Sequence, residues 1–124
     1  MNILSIWKSD WSPDRSDMPP VDTDFPLLSV DEAQRVADYL RAGTVLLRST
    51  HLLPDQLDDD PAPRVPISSR TDGSWVWDDA VLYYVEKYRI SPGDKFVEYC
   101  RARDFLPREA TAAEVEQAQA LLLL

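Results

Sequence analysis

Residues 70–89, RTDGSWVWDDAVLYYVEKYR, constrain the fold more than any other stretch of the chain. Thr71-Asp72-Gly73-Ser74 carries an Asp-Gly turn signal, and Ser74-Trp75-Val76-Trp77 is an aromatic, β-branched strand pattern. Asp78 then offers a side-chain acceptor at a helix start, and the apolar residues switch to helical spacing. Val81, Leu82, Val85 and Tyr88 fall at i, i+1, i+4 and i+7, with Tyr84 beside them. Turn, strand and helix thus meet within one short stretch, with two of the four tryptophans at the junction. Large aromatics bury much apolar area, so Trp75, Trp77, Val81, Leu82, Val85 and Phe96 are expected in one core cluster.

Upstream, residues 2–7 (NILSIW) read as a short first strand. Residues 9–26 are rich in Asp, Ser and Pro and read as surface chain pinned by Trp11, Met18 and Phe25, so residues 1–28 are irregular after that strand. Ser29-Val30-Asp31-Glu32 is a capping box opening a helix over residues 30–42. Ala33, Val36, Ala37 and Leu40 give that helix its apolar face, and Gly43 suits a left-handed stop. Residues 44–50 read as a second strand.

Residues 51–66 then read as an acidic, proline-rich loop. Pro54, Pro61, Pro63 and Pro66 deny it regular structure. Asp55, Asp58, Asp59 and Asp60 should be exposed there, because buried unpaired carboxylates are too costly. Residues 67–70 are expected to pair with residues 75–77 through the Asp72-Gly73 turn. Ser91-Pro92-Gly93-Asp94 gives serine as cap and proline at the first position of a helix that buries Phe96, Val97 and Cys100. Thr111-Ala112-Ala113-Glu114 is a second capping box, for a last helix with Val115, Ala118, Leu121 and Leu122. No repeat or linker is visible. The expectation is one α+β domain over residues 1–124, a short, mostly antiparallel sheet packed by about four helices.

The charge weighs against some functions. The formal net charge is −9, and residues 1–62 carry most of it, with 12 acids against 5 bases. An acidic face repels phosphates and anionic lipid, which disfavours direct nucleic-acid or membrane binding and favours a basic partner. No basic leader or long apolar segment is present, and the one cysteine cannot form an intramolecular disulfide, so a reduced, cytoplasmic protein is expected.

Catalytic motifs are lacking. His51 and Cys100 are single, and a Cys–His nucleophile pair would need them to meet in space. Cys100 on an apolar helix face reads as a buried structural thiol, and His51 at a strand end as a surface residue. One His and one Cys do not make a zinc site, and three scattered glycines make no phosphate loop. Asp58-Asp59-Asp60 lacks the alternation and glycine turn of a calcium loop. Trp75 and Trp77 share a strand face and could stack a sugar or base, but read first as core. No catalytic, cofactor-binding or metal-ligating residue is assigned. Tyr83 lies off the apolar stripe of its helix and is expected to be the best exposed aromatic.

The pattern Ala33…Val36-x-x-Tyr39-Leu40-Arg41-Ala42-Gly43, then Thr71-Asp72-Gly73-x-Trp75-x-Trp77-x-x-x-x-x-Tyr83-Tyr84-Val85, resembles a group of small acidic actinobacterial proteins of immunity type, encoded beside secreted polymorphic toxins. The resemblance covers roughly residues 30–105, with the amino-terminal 25 residues and the acidic loop outside it. It departs from the group after the second tryptophan, where Asp78 stands in place of the usual proline, a change a helix start tolerates. The resemblance implies a non-enzymatic immunity protein that occludes a cognate toxin, and the acidic surface suits a toxin with a basic cleft, as toxins acting on nucleic acid or a nucleotide such as NAD commonly have. Asp55, Asp58, Asp59, Asp60 and Tyr83 are the expected partner-binding residues. Two other readings stand beside it, an acidic adaptor or regulator and a small enzyme using His51.

Overall fold

The computed structural model describes residues 1–4 and 27–122. Six strands and four helices follow in the order β1 (Asn2–Ile3), α1 (Val30–Arg41), β2 (Thr44–Leu47), β3 (Leu52–Pro54), β4 (Pro63–Pro66), β5 (Ser69–Thr71), β6 (Trp75–Asp78), α2 (Asp79–Tyr88), α3 (Asp94–Ala102) and α4 (Ala112–Leu122). The expected α+β architecture is present, with a four-stranded sheet ordered β1-β6-β5-β2 and a two-stranded sheet β3-β4. Among the described strands, only β1 and β6 run parallel. The rest of the N-terminal strand, the segment with Trp11, Met18 and Phe25, and the irregular stretch expected over residues 9–26 lie outside the described residues, apart from Asn2–Leu4.

The hairpin β5–β6 closes at Asp72-Gly73, with Thr71 opposite Val76 and Gly73 at φ 97°. Alternation on β6 then sorts its side chains between the two faces of the sheet. Trp77 enters the main core with Val36, Leu40, Val81, Val85 and Phe96. Val76 faces the other way, against Leu46 and Ala118 of α4. Of the six residues expected in one cluster, Trp77, Val81, Val85 and Phe96 are buried, while Trp75 and Leu82 are half-buried against them. Trp75 packs edge-on to Phe96 at 5.2 Å between ring centroids, at the margin of the core.

Several helix ends differ from expectation. Ser29 caps α1 by accepting from the Glu32 amide at 3.1 Å, but the Glu32 carboxylate is engaged with Arg101 of α3. Gly43 is not in the left-handed region. It is needed for space, because a Cβ there would lie 2.5 Å from Cζ2 of Trp77. Trp77 donates from Nε1 to the Leu40 carbonyl at 3.2 Å, which draws the indole against the end of α1. α2 begins as expected, with Asp78 accepting from the Ala80 amide at 2.9 Å. α3 starts two residues late, capped by Gly93 at φ 112°, while Ser91 accepts from the Gly93 amide instead of closing the helix. At α4 the capping box closes in both directions between Thr111 and Glu114.

The largest departure lies in residues 51–66. Prolines were expected to keep this stretch irregular, yet Leu52–Pro54 and Pro63–Pro66 pair antiparallel. A register shift falls between Leu53 and Pro54, and Pro63 sits opposite Pro54, so the missing amide donors fall where the ladder is already broken. β2 and β3 together run antiparallel to β4 and β5, with Leu47 opposite Ser69 and Leu52 opposite Pro66. Ser68 spans the interruption, accepting from the Ser49 amide at 3.0 Å. The result is one broken two-stranded ribbon, and residues 55–62 are its tip.

Candidate functional site

The tip is fastened to the outer side of α2. Asp55, expected in the open, is 2% exposed, which corrects the expectation of a solvated carboxylate. Its Oδ2 accepts from the hydroxyls of Tyr83 at 2.8 Å and Tyr88 at 2.7 Å and from Lys87 Nζ at 3.2 Å; its Oδ1 accepts from the Leu57 amide at 2.8 Å. Burial alone would raise the Asp55 carboxyl, but the donors from Tyr88, Leu57, Tyr83 and Lys87 outweigh it and hold it below the usual range. The cost of removing this carboxylate from water is therefore met by charge-assisted hydrogen bonds.

α2 places these donors by its own geometry. Tyr83 and Lys87 are four residues apart, and Tyr84 and Tyr88 likewise, so the four side chains line one broad face. Lys87 lies 5.5 Å from the ring centroid of Tyr83 and 5.3 Å from that of Tyr88. Tyr84 accepts from the Gln56 amide at 2.9 Å, and burial pushes its hydroxyl up to about 12. Tyr83 was expected to be the most open aromatic. It is half-buried, with its hydroxyl engaged by Asp55 and Lys87. Burial and the Asp55 hydrogen bond both raise its pKa.

Beyond Asp55 the tip folds on its own aspartates. Asp58 Oδ1 accepts from the Asp60 amide at 2.9 Å, and Asp60 Oδ1 from the Ala62 amide at 3.0 Å, two successive side-chain turns. Arg64 lies 3.2 Å from Asp58 and 3.3 Å from Asp60. The Asp60 amide, followed by the charges of Arg64 and Lys87, holds the Asp58 carboxyl low despite partial desolvation. Asp58, Asp59 and Asp60 are all exposed. The five residues expected to bind a partner thus fall into two groups: Asp55 and Tyr83 bond to each other and hold the tip, while Asp58, Asp59 and Asp60 are displayed by it.

A second buried carboxylate went unrecognised in the sequence. Asp72, expected only to form the hairpin turn, is 1% exposed. It accepts from Tyr39 at 2.5 Å and Tyr99 at 2.8 Å on Oδ2, and from the Ser74 and Trp75 amides at 2.9 and 2.8 Å on Oδ1. Burial, with the Asp72 carboxylate, drives the Tyr39 hydroxyl far above its ordinary pKa, so it stays a donor. The sequence separations, 33 and 27 residues, left no local signal for these partners.

His51 is exposed, as expected, and Cys100 is wholly buried in the main core. Burial, and then the charge of Asp72, pushes the Cys100 thiol up to about 12, so it is a neutral thiol at physiological pH. Among the described residues no group of three or more His, Cys, Asp or Glu is placed to hold a metal ion. A cleft of about 420 Å³ runs between the start of α1 and α3, but Glu32 and Arg101 on its wall are bonded to each other. No described helix is long and apolar enough to cross a membrane. Comparison of the chain with protein-family models, curated proteins and solved structures gives no match.

Proposed function

We propose that this chain is a non-enzymatic binding protein of immunity type, which inserts the acidic ribbon tip into the basic cleft of a cognate toxin and keeps the substrate out. One observation carries this reading: the tip is pre-formed. Asp55 ties it to α2, and the side-chain turns at Asp58 and Asp60 fix its backbone, so Asp58, Asp59 and Asp60 project from a scaffold already ordered before contact. A pre-ordered loop loses less conformational entropy on binding than a mobile one. Clustered carboxylates on a protrusion also accelerate encounter with a basic surface. Toxins acting on nucleic acids or nucleotides carry such surfaces, because their substrates bear phosphates.

The test is capture of the toxin encoded beside the gene, followed by association kinetics at low and high salt. Asparagine at positions 58, 59 and 60 retains the side-chain turns while removing the charge. The triple variant is expected to associate more slowly and with a flatter salt dependence. Equal on-rates for variant and wild type would remove the tip from the interface. Failure to bind or neutralise the toxin at all would overturn the immunity reading in favour of an adaptor.

A further inference from the structure

α4 is attached to the rest of the molecule differently from the other helices. α1 and α2 each bury five residues and α3 buries three, whereas α4 buries Ala118 alone. Its apolar contact is a small cluster with Leu46 and Val76, flanked by half-buried side chains. Two polar ties run from this arm to β2, Gln119 to the Leu46 carbonyl and the Ala110 amide to Thr44, both at 3.3 Å. Within the arm itself, Arg108 meets Glu114 of the first turn through two hydrogen bonds of 2.8 and 2.7 Å. The pair rests on the β5–β6 turn: a Cβ at Gly73 would lie 2.5 Å from Arg108 Nη2.

The chain just before this arm is anchored in the body. Asp104 and Phe105 both take left-handed backbone, at φ 54° each, and Phe105 packs on the main core beneath the Arg35 guanidinium at 5.7 Å. From Leu106, 63% exposed, the chain runs over the surface to α4. Local opening requires free energy in proportion to the apolar surface and hydrogen bonds it exposes. Lifting α4 exposes one small cluster and leaves Trp77, Tyr39 and the Asp72 hydrogen bonds in place.

We propose that α4 is a strap that opens and closes over the second face of the sheet as its own unit, its first turn braced by the Arg108–Glu114 pair that rests on Gly73, while the body of α1, α2 and α3 stays folded. The brace and the helix cap share one carboxylate, because Glu114 also accepts from the Thr111 amide at 2.9 Å. Releasing Arg108 therefore weakens the first turn of the strap and its seat on the β5–β6 turn.

Hydrogen exchange read by mass spectrometry on the intact chain tests this directly. In wild type the amides of residues 112–122 should exchange at least about tenfold faster than those of residues 79–88. Glu114→Gln should speed the strap by a further factor of about three while leaving residues 79–88 unchanged. Equal protection of the two helices in wild type would overturn the proposal. So would a Glu114→Gln strap rate indistinguishable from wild type, or one that rises equally in both helices.

Discussion

Asp55 and Asp72 are held by similar arrangements of donors: two tyrosine hydroxyls on Oδ2 and, on Oδ1, backbone amides of the following turn, one at Asp55 and two at Asp72. At Asp55 the hydroxyls come from α2 alone, and a lysine joins them. At Asp72 they come from α1 and α3, so one carboxylate joins a hairpin turn to two helices. Neither carboxylate lacks donors, which is what allows an acidic chain to bury charge in a small core. The two sites differ in what they secure. Asp55 secures a surface protrusion, and Asp72 secures the assembly of the body.

That difference predicts unequal consequences of truncation. Hydrogen bonds to charged groups contribute about 1.5–3 kcal/mol, so Asp55→Ala should destabilise by about 2 kcal/mol. Asp72→Ala strips donors on three elements at once and should cost about 3 kcal/mol or more. Urea denaturation of both variants checks the order. In Asp55→Ala the Leu57 amide should also lose protection from hydrogen exchange while the core of α1 keeps its own. Equal losses for the two variants would contradict the separation of roles.

Gly43→Ala should destabilise by about 1–3 kcal/mol, because the new methyl meets the rigid edge of the Trp77 ring. Trp77→Phe removes the atom that clashes, at the cost of the indole hydrogen bond to Leu40. Combined, the two substitutions should cost less than their sum. A double-mutant cycle with strictly additive losses would place Gly43 away from Trp77.

The Glu114 carboxyl is held at about 2, first by Arg108 and then by the Thr111 amide. Its folded pKa lies below the unfolded value of about 4.3, so its contribution is complete above that value and is lost as pH falls towards 2. Stability should therefore fall less steeply between about pH 5 and pH 2 in Glu114→Gln than in wild type. Thermal midpoints across that range test the sign. Identical slopes would mean that Glu114 is not held by Arg108 in solution.

Cys100 should resist a thiol reagent in the native protein at pH 8, because burial excludes both the reagent and the thiolate. Adding denaturant should release the thiol at once. Rapid native labelling would show that the core around Phe96 and Tyr99 opens far more readily than its packing implies.

Much of the body was legible from local pattern. The Asp72-Gly73 turn, the strand with Trp75 and Trp77, the Ser29 and Asp78 caps and the Thr111–Glu114 capping box each depend on residues within a few positions of one another. What the sequence concealed was long-range. Proline reads as a breaker over residues 51–66, but it is compatible with a strand whose ladder is already interrupted, and pairing with residues 63–66 imposes a ribbon. Asp55 looked like its exposed neighbours because its donors lie about thirty residues away on α2. The spacing of Tyr83, Lys87 and Tyr88 does place three donors on one side of a helix, and that was the available hint. Gly43 carried the opposite lesson: its position after a helix suggested backbone conformation, whereas the indole beneath it set the requirement.

The stem of the ribbon can be separated from its cargo. Asp55 and Val65 are both buried and fix the two sides of the stem, while residues 58–62 between them are exposed. The fold therefore offers a display scaffold, in which a foreign peptide replacing those five residues would be presented on a tether already clamped at its base. Loop closure entropy grows only slowly with length, so such grafts should leave the melting temperature nearly unchanged while altering what the protein recognises.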